Sequence, residues 1–203
     1  MSGKHHTALP YKDVVKFIAE LKASQLDKAT KLSFELLILT AARTTEVRSM
    51  VWSEVDVEAK LWTIPAKRMK ARVPHAVPLC GRAIDILKEA GELCGRDGLV
   101  FRDEHTDRRL SENQFLNARD ALGYNDHCTP HGFRSSFRDW ASEETSFPSD
   151  VCEKALAHTI KNKAEAAYRR GGLFEKRRLL MDSWASYVSE VGAGNVVKLK
   201  VGA

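Results

Sequence analysis

"TPHGFRSSFRDWASE", Thr129–Glu143, is the stretch on which the fold reading turns. It places His131 and Arg134 three residues apart at what reads as the start of a helix. Positions i and i+3 of a helix share a face. An imidazole and a guanidinium aimed at one point suit a phosphate. A single HxxR is a weak signal, so its meaning depends on what the rest of the chain supplies.

Working outward, helical patterns dominate. "YKDVVKFIAELKAS" sets Val14, Val15, Phe17, Ile18 and Leu21 at helical spacing. "DKATKLSFELLILTAA" reads as a second, more buried helix opened by Asp27 as cap. A short helix covers "TTEVRSMVW". The pattern then changes to two short β-like runs, Leu61–Pro65 and His75–Leu79, joined by a basic loop with Lys67, Arg68, Lys70 and Arg72. That is the mark of a hairpin with a long tip. "GRAIDILKEAGELC" returns to helix, and Ser111 with Gln114 forms a capping-box signature before "NQFLNARDAL". Near the end, Leu180, Trp184, Tyr187, Val188 and Val191 fall on one helical face. The sum is an α+β domain, mostly α-helical, with one small antiparallel β-sheet or hairpin. Residues 1–9 read as the remnant of a linker, 10–190 as the domain, and 191–203 as a tail.

Composition bounds the function. The 203 residues suit one domain, with 43% apolar and 29% charged residues. The longest apolar run, "LLILTAA" from Leu36, is too short to span a bilayer, and the first residues carry no apolar signal region. No membrane role and a cytoplasmic location are expected. A net charge of +5 favours an acidic partner such as nucleic acid, though mildly. Cys80, Cys94, Cys128 and Cys152 form no CxxC pair and read as thiols of a reducing compartment. "HCTPH" brings His127, Cys128 and His131 close together, but no second ligand pair accompanies them, so no metal is expected.

Three more places matter. Arg43 follows a strongly apolar helix with Glu46 three residues on, and a charge at a buried helix end needs a partner. The pair reads either as a structural cap or as an arginine held at a cleft floor. Lys70 on the hairpin tip is either a solvated cation or a lysine delivered to a phosphate. His158 and Tyr168 lie in "ALAHTIKNKAEAAYRRGG"; singly, each reads as packing. Of the other tyrosines, Tyr187 lies on an apolar stripe, Tyr11 at the N-terminal end, and Tyr124 in a turn.

Taken together, Arg43, Lys70, His131, Arg134, His158 and Tyr168, in this order and these surroundings, resemble the tyrosine recombinase family, most closely its phage-type integrases. The blocks that carry the likeness are "LTAARTTEVRSMVWSEVD", "WTIPAKRMKARVPHAVPL", "HGFRSSFRDWASE" and "ALAH…AAYRRGGLFEKRRLLMDSWASY". They run from about Ala8 to Val188.

The resemblance implies the fold of the family's C-terminal catalytic domain, and site-specific DNA recombination that integrates or excises a mobile element. It matches Arg43 and Arg134 to the family's two arginines, His131 to the HxxR histidine, and His158 to a position that the family fills with His or Trp. It matches Lys70 to the hairpin lysine, Glu46 to an acidic support of the first arginine, and Tyr168 to a nucleophile forming a 3′-phosphotyrosine link. Lys67, Arg68 and Arg72 are expected to bind DNA. The implied partners are double-stranded attachment-site DNA, three further copies in a tetramer, and DNA-bending accessory proteins, in a bacterial cell or the host of a mobile element. No cofactor is implied, and the tail after Val191 is implied to pack on a neighbouring copy. Two other readings remain: topoisomerase IB-like relaxation, and a DNA-binding module without chemistry.

Overall fold

The computed structural model describes residues 7–158 and 173–189. Helix α1 (Tyr11–Ala23) packs Val14, Phe17, Ile18 and Leu21 inward, as its spacing predicts. Helix α2 (Lys28–Thr40) is buried on nearly every side, which makes it the central post of the domain. Its start is fixed by Asp27, whose carboxylate accepts the Thr30 backbone N–H at 2.7 Å, as expected of a cap. Helix α3 (Thr44–Arg48) follows at once.

Three antiparallel strands come next: β1 (Val55–Asp56), β2 (Leu61–Ile64) and β3 (His75–Pro78), in that order across the sheet. The expected hairpin is β2–β3; β1 is an addition, too short to carry a periodic signal. Trp62 opposes Val77, and Ile64 opposes His75. Directly opposed residues share a face, so His75 lies on the inward side with Trp62, Ile64 and Val77.

Helix α4 (Gly81–Cys94) covers α2, and α5 (Gln114–Ala121) lies beside it. The expected capping box is not formed. Helix α5 begins at Gln114 itself, and the Gln114 amide instead donates to Thr30 Oγ1 at 2.5 Å. The Gln114 side-chain oxygen still accepts the Ser111 hydroxyl at 3.4 Å, so the side chain bridges Ser111 and α2 without making the reciprocal backbone bonds of a capping box. Helix α6 (Phe133–Glu143) carries the HxxR stretch. Phe133 at its start packs against Phe17 and Phe34, with ring centroids 4.8 and 5.6 Å apart. Helix α7 (Ser149–Ala155) and helix α8 (Phe174–Ser189) complete the described elements. In α8, Leu180, Trp184 and Val188 are buried, while Tyr187 is half-buried against Trp140 and Trp184. Val191 lies outside the described residues. The Trp184 indole donates to the Ile38 carbonyl at 2.9 Å, which locks α8 to the end of α2.

The four cysteines are free thiols; Cys80, Cys128 and Cys152 are buried. Leu9 is also buried, so Thr7–Leu9, expected as the end of a linker, lie against the body of the domain.

Candidate active site

The site begins where α2 ends. Ala41 closes α2 in the left-handed conformation, at φ 48°, and turns the chain sharply into Arg43. The Glu46 carboxylate accepts both the Arg43 backbone N–H and its guanidinium, each at 2.7 Å. Glu46 is buried, so this contact both caps α3 and fixes the arginine. The structural and functional readings of the pair therefore describe one geometry.

Arg134 projects from the first turn of α6 and is only 6% exposed. Its guanidinium donates to the carbonyl of Ala41 and, at 2.7 Å, to that of Leu156. Those residues are the C-caps of α2 and α7. A helix C-terminus carries unsatisfied carbonyls and about half a negative charge. Two such ends meet the cation, and among the described residues no carboxylate is hydrogen-bonded to its side chain. Burial lowers its pKa to about 10, with the nearby Arg43 adding to the effect and Glu46 and Glu153 opposing it. It remains charged near neutrality.

His158 sits beside it, with Nε2 3.4 Å from the Arg134 guanidinium. Its Nδ1 faces Glu153 Oε2 at 2.7 Å. A carboxylate only accepts, so Nδ1 carries the proton and Nε2 is left as the acceptor toward arginine. The position of the ring follows from how α7 stops. The Ala157 N–H bonds the Lys154 carbonyl at 3.2 Å and the His158 N–H bonds the Glu153 carbonyl at 2.9 Å, with Ala157 left-handed at φ 52°. These are the paired bonds of a Schellman ending. Glu153 also accepts from Arg138 at 2.8 Å. Despite burial, the hydrogen bonds from Arg138 and His158 hold its pKa below the usual carboxylate value. Glu153 was not singled out from sequence; its signal is a Glu five residues before a His at a helix end.

His131 stands exposed on a short 3₁₀ turn, Pro130–Gly132, one turn before Arg134. The Thr129 hydroxyl caps that turn, accepting the Gly132 N–H at 3.0 Å. Lys70 is exposed on the hairpin tip with Lys67 and Arg72. Arg68, expected among the DNA-facing cations, is turned inward instead. It donates to the Ser49 carbonyl at 2.7 Å and the Glu46 carbonyl at 3.2 Å, and pairs with Glu54. It thus ties the base of the hairpin to α3, two residues before Lys70. The structure brings Arg43, Glu46, Arg134 and His158 together. It puts His131 on the adjoining turn and Lys70 on the neighbouring tip. Tyr168 lies outside the described residues.

The other tyrosines are committed elsewhere. The Tyr11 hydroxyl lies 2.8 Å from Glu144 and 2.9 Å from Glu143, and these contacts, with burial, raise its pKa. Burial and a 2.7 Å bond to Glu20 raise that of Tyr124. Tyr187 is stacked on Trp184. Among the described residues no group of three His, Cys, Asp or Glu side chains is set to hold a metal ion, and no helix is long and apolar enough to cross a membrane.

Known proteins share this arrangement of elements. Residues 8–171 match the phage integrase family. The chain is 32% identical over 192 residues to the prophage integrase IntZ of Escherichia coli K12, covering 94% of this chain and 47% of that protein. It is 32% identical over 202 residues to the integrase of Enterobacteria phage P4, covering 92% and 46%. It therefore spans about half the length of these relatives. Among solved structures, the integrase of mycobacterium phage Brujita superposes with a TM-score of 0.64 at 16% identity, over 94% of this chain and 65% of that one. A lambda integrase tetramer bound to a Holliday junction gives 0.58 at 18% identity, over 82% and 49%. The mostly helical architecture with its small antiparallel sheet is the fold of these integrases, and this chain belongs to the phage integrase family.

Proposed function

We propose that this chain cuts and rejoins double-stranded DNA at specific sites through a covalent link to Tyr168, in the service of integrating or excising a mobile element. The observation that carries the reading is the arginine pair. Arg134 is buried, with no carboxylate among the described residues hydrogen-bonded to its side chain, beside Arg43 and against His158. Its described partners take three of the five donors of a guanidinium, leaving two. A buried cation with spare donors suits an anion, and two planar forks suit the non-bridging oxygens of a phosphodiester.

In this reading the Tyr168 oxygen attacks phosphorus. A phosphorus–tyrosine bond forms, the bond to the 5′-oxygen breaks, and that oxygen takes a proton. The bond energy stays in the link, so a 5′-hydroxyl can later reverse the step. A phenol is mostly protonated near neutrality, so its proton must leave; exposed His131 is suited to accept or relay it. Lys70 is the general acid for the leaving oxygen, and His158 contacts the phosphate. Glu46 and Glu153 hold Arg43 and His158 in place. Lys67 and Arg72 contact the DNA backbone. Recombination requires the acting copies in a tetramer on two duplexes, with accessory proteins bending the DNA.

The test is covalent trapping on nicked duplexes in EDTA. A detergent-stable adduct mapped to Tyr168, and lost in Tyr168→Phe, is the expected result. Lys70→Ala should slow adduct formation by about 10²–10⁴ with DNA binding retained. An adduct at another tyrosine overturns the assignment. Binding with no adduct at all favours the non-catalytic module. Relaxation of supercoils without exchange between two sites favours the topoisomerase-like reading.

A further inference from the structure

The described chain opens by running along α6. The Thr7 carbonyl accepts the Thr129 backbone N–H at 2.9 Å and the Thr129 hydroxyl at 3.5 Å. Two residues on, the Leu9 carbonyl accepts the hydroxyl of fully buried Ser136. After Pro10, the Tyr11 hydroxyl reaches Glu143 and Glu144 at the far end of the same helix. The segment Thr7–Tyr11 is thus fastened beside the start, the first turns and the end of α6.

Gly132 shows how closely it is seated. A Cβ there would lie 2.2 Å from the Thr7 carbonyl oxygen and 2.9 Å from the Ala8 Cα, both main-chain atoms. The Gly132 backbone is right-handed helical, φ −61° and ψ −26°, a conformation alanine adopts more readily than glycine. Its own torsions therefore do not require a glycine; the crossing main chain does. Gly132 follows His131 directly and lies two residues before Arg134.

We propose that the Thr7–Leu9 main chain, seated on Gly132, is a positioning element of the active site that sets His131 and Arg134 against Arg43. The segment brings no reacting group. It supplies the acceptor for the Thr129 N–H at the start of the His131 turn and an acceptor for Ser136 within the Arg134 helix. Tension or release in it moves the two side chains together, because the His131 turn runs directly into the first turn of α6, which carries Arg134. The proposal rests on the phosphodiester reading of the site.

The experiment uses the full chain with Gly132→Ala, whose methyl group displaces Thr7 without cutting the Thr129 cap. Ser136→Ala removes a fastening without adding bulk, and serves if the first variant does not fold. Three signals are read: amide exchange at Thr129, the His131 ring resonances by NMR, and the rate of adduct formation with its DNA affinity. The expected result is faster Thr129 exchange, shifted His131 resonances, and adduct formation slowed by about tenfold or more at unchanged DNA affinity. Faster exchange with His131 and the rate unaltered overturns the proposal, as does unaltered exchange in both variants. If the wild-type chain forms no adduct, the catalytic reading fails, and the exchange and His131 signals alone decide the positioning role.

Discussion

At the scale of single residues, Arg134 does two jobs. Its guanidinium closes the C-termini of α2 and α7, so it is part of the architecture as well as an anion-binding group. Arg134→Ala leaves two helix-end carbonyls without their donor. It should cost about 2–4 kcal/mol in urea unfolding. Arg134→Lys keeps the charge, but a single ammonium cannot reproduce the planar fork, so it should lose part of that stability and most of the cleavage rate. An alanine variant as stable as wild type would show that the guanidinium does not hold the helix ends. His75 makes the second residue-scale case. Burial first and then Arg177 push its pKa down to about 4, against opposite pulls from Glu46 and a backbone contact to Ala155, with Arg134 adding a smaller push downward. The unfolded chain binds this proton near pH 6.5 and the folded one does not. Stability is therefore full above pH 6.5 and falls as pH drops toward 4, by on the order of 2 kcal/mol. The carboxylates of buried Glu35 and half-buried Glu153, held below their usual values, give way only at lower pH. His75→Gln should flatten the loss between pH 6.5 and 4.5; equal slopes in both proteins would refute the assignment.

At the scale of elements, the hairpin and the active site are joined by Arg68. It bonds the Ser49 and Glu46 carbonyls and pairs with Glu54, whose carboxylate also accepts the Trp62 indole at 3.2 Å. Arg68→Met keeps bulk but cuts the tie. It should cost about 1–3 kcal/mol and slow adduct formation, because Lys70 is then carried on a looser tip. Stability loss with an unchanged cleavage rate would separate the two effects and deny Arg68 its positioning role. The same residue marks what was legible in sequence. Local signals are legible: the Asp27 cap, the β2–β3 hairpin and the HxxR helix each depend on residues a few positions apart. Signals that need a distant partner are not. Arg68 looked like its basic neighbours until Glu54 and α3 came beside it. Gln114 keeps its local contact to Ser111, but its tie to Thr30 has no signal near it in the chain. Glu153 gained meaning only when the turn at Ala157 folded His158 back over it, and Gly132 only when Thr7 crossed it.

At the scale of the whole molecule, the +5 charge says little until the structure divides it. Some cations are committed to partners in the protein: Arg82 chelates Glu35 and Glu89, Arg138 holds Glu153, and Arg177 donates to the Ala76 carbonyl. Lys67, Lys70 and Arg72 on the hairpin tip are exposed instead. Only exposed cations exchange their counterions for phosphates, and each phosphate contact steepens the salt dependence of DNA affinity by about one unit of log K against log salt. Neutralising Lys67 or Arg72 to Gln should therefore lower that slope by about one apiece. It should weaken binding on all sequences alike. Arg68→Met should leave the slope where it was, since its charge is already spent on Glu54 and backbone carbonyls. Titrations on one duplex at several salt concentrations make the comparison. A slope that falls for Arg68→Met and not for Lys67→Gln would mean that the tip reorganises on DNA, with the inward arginine released to a phosphate.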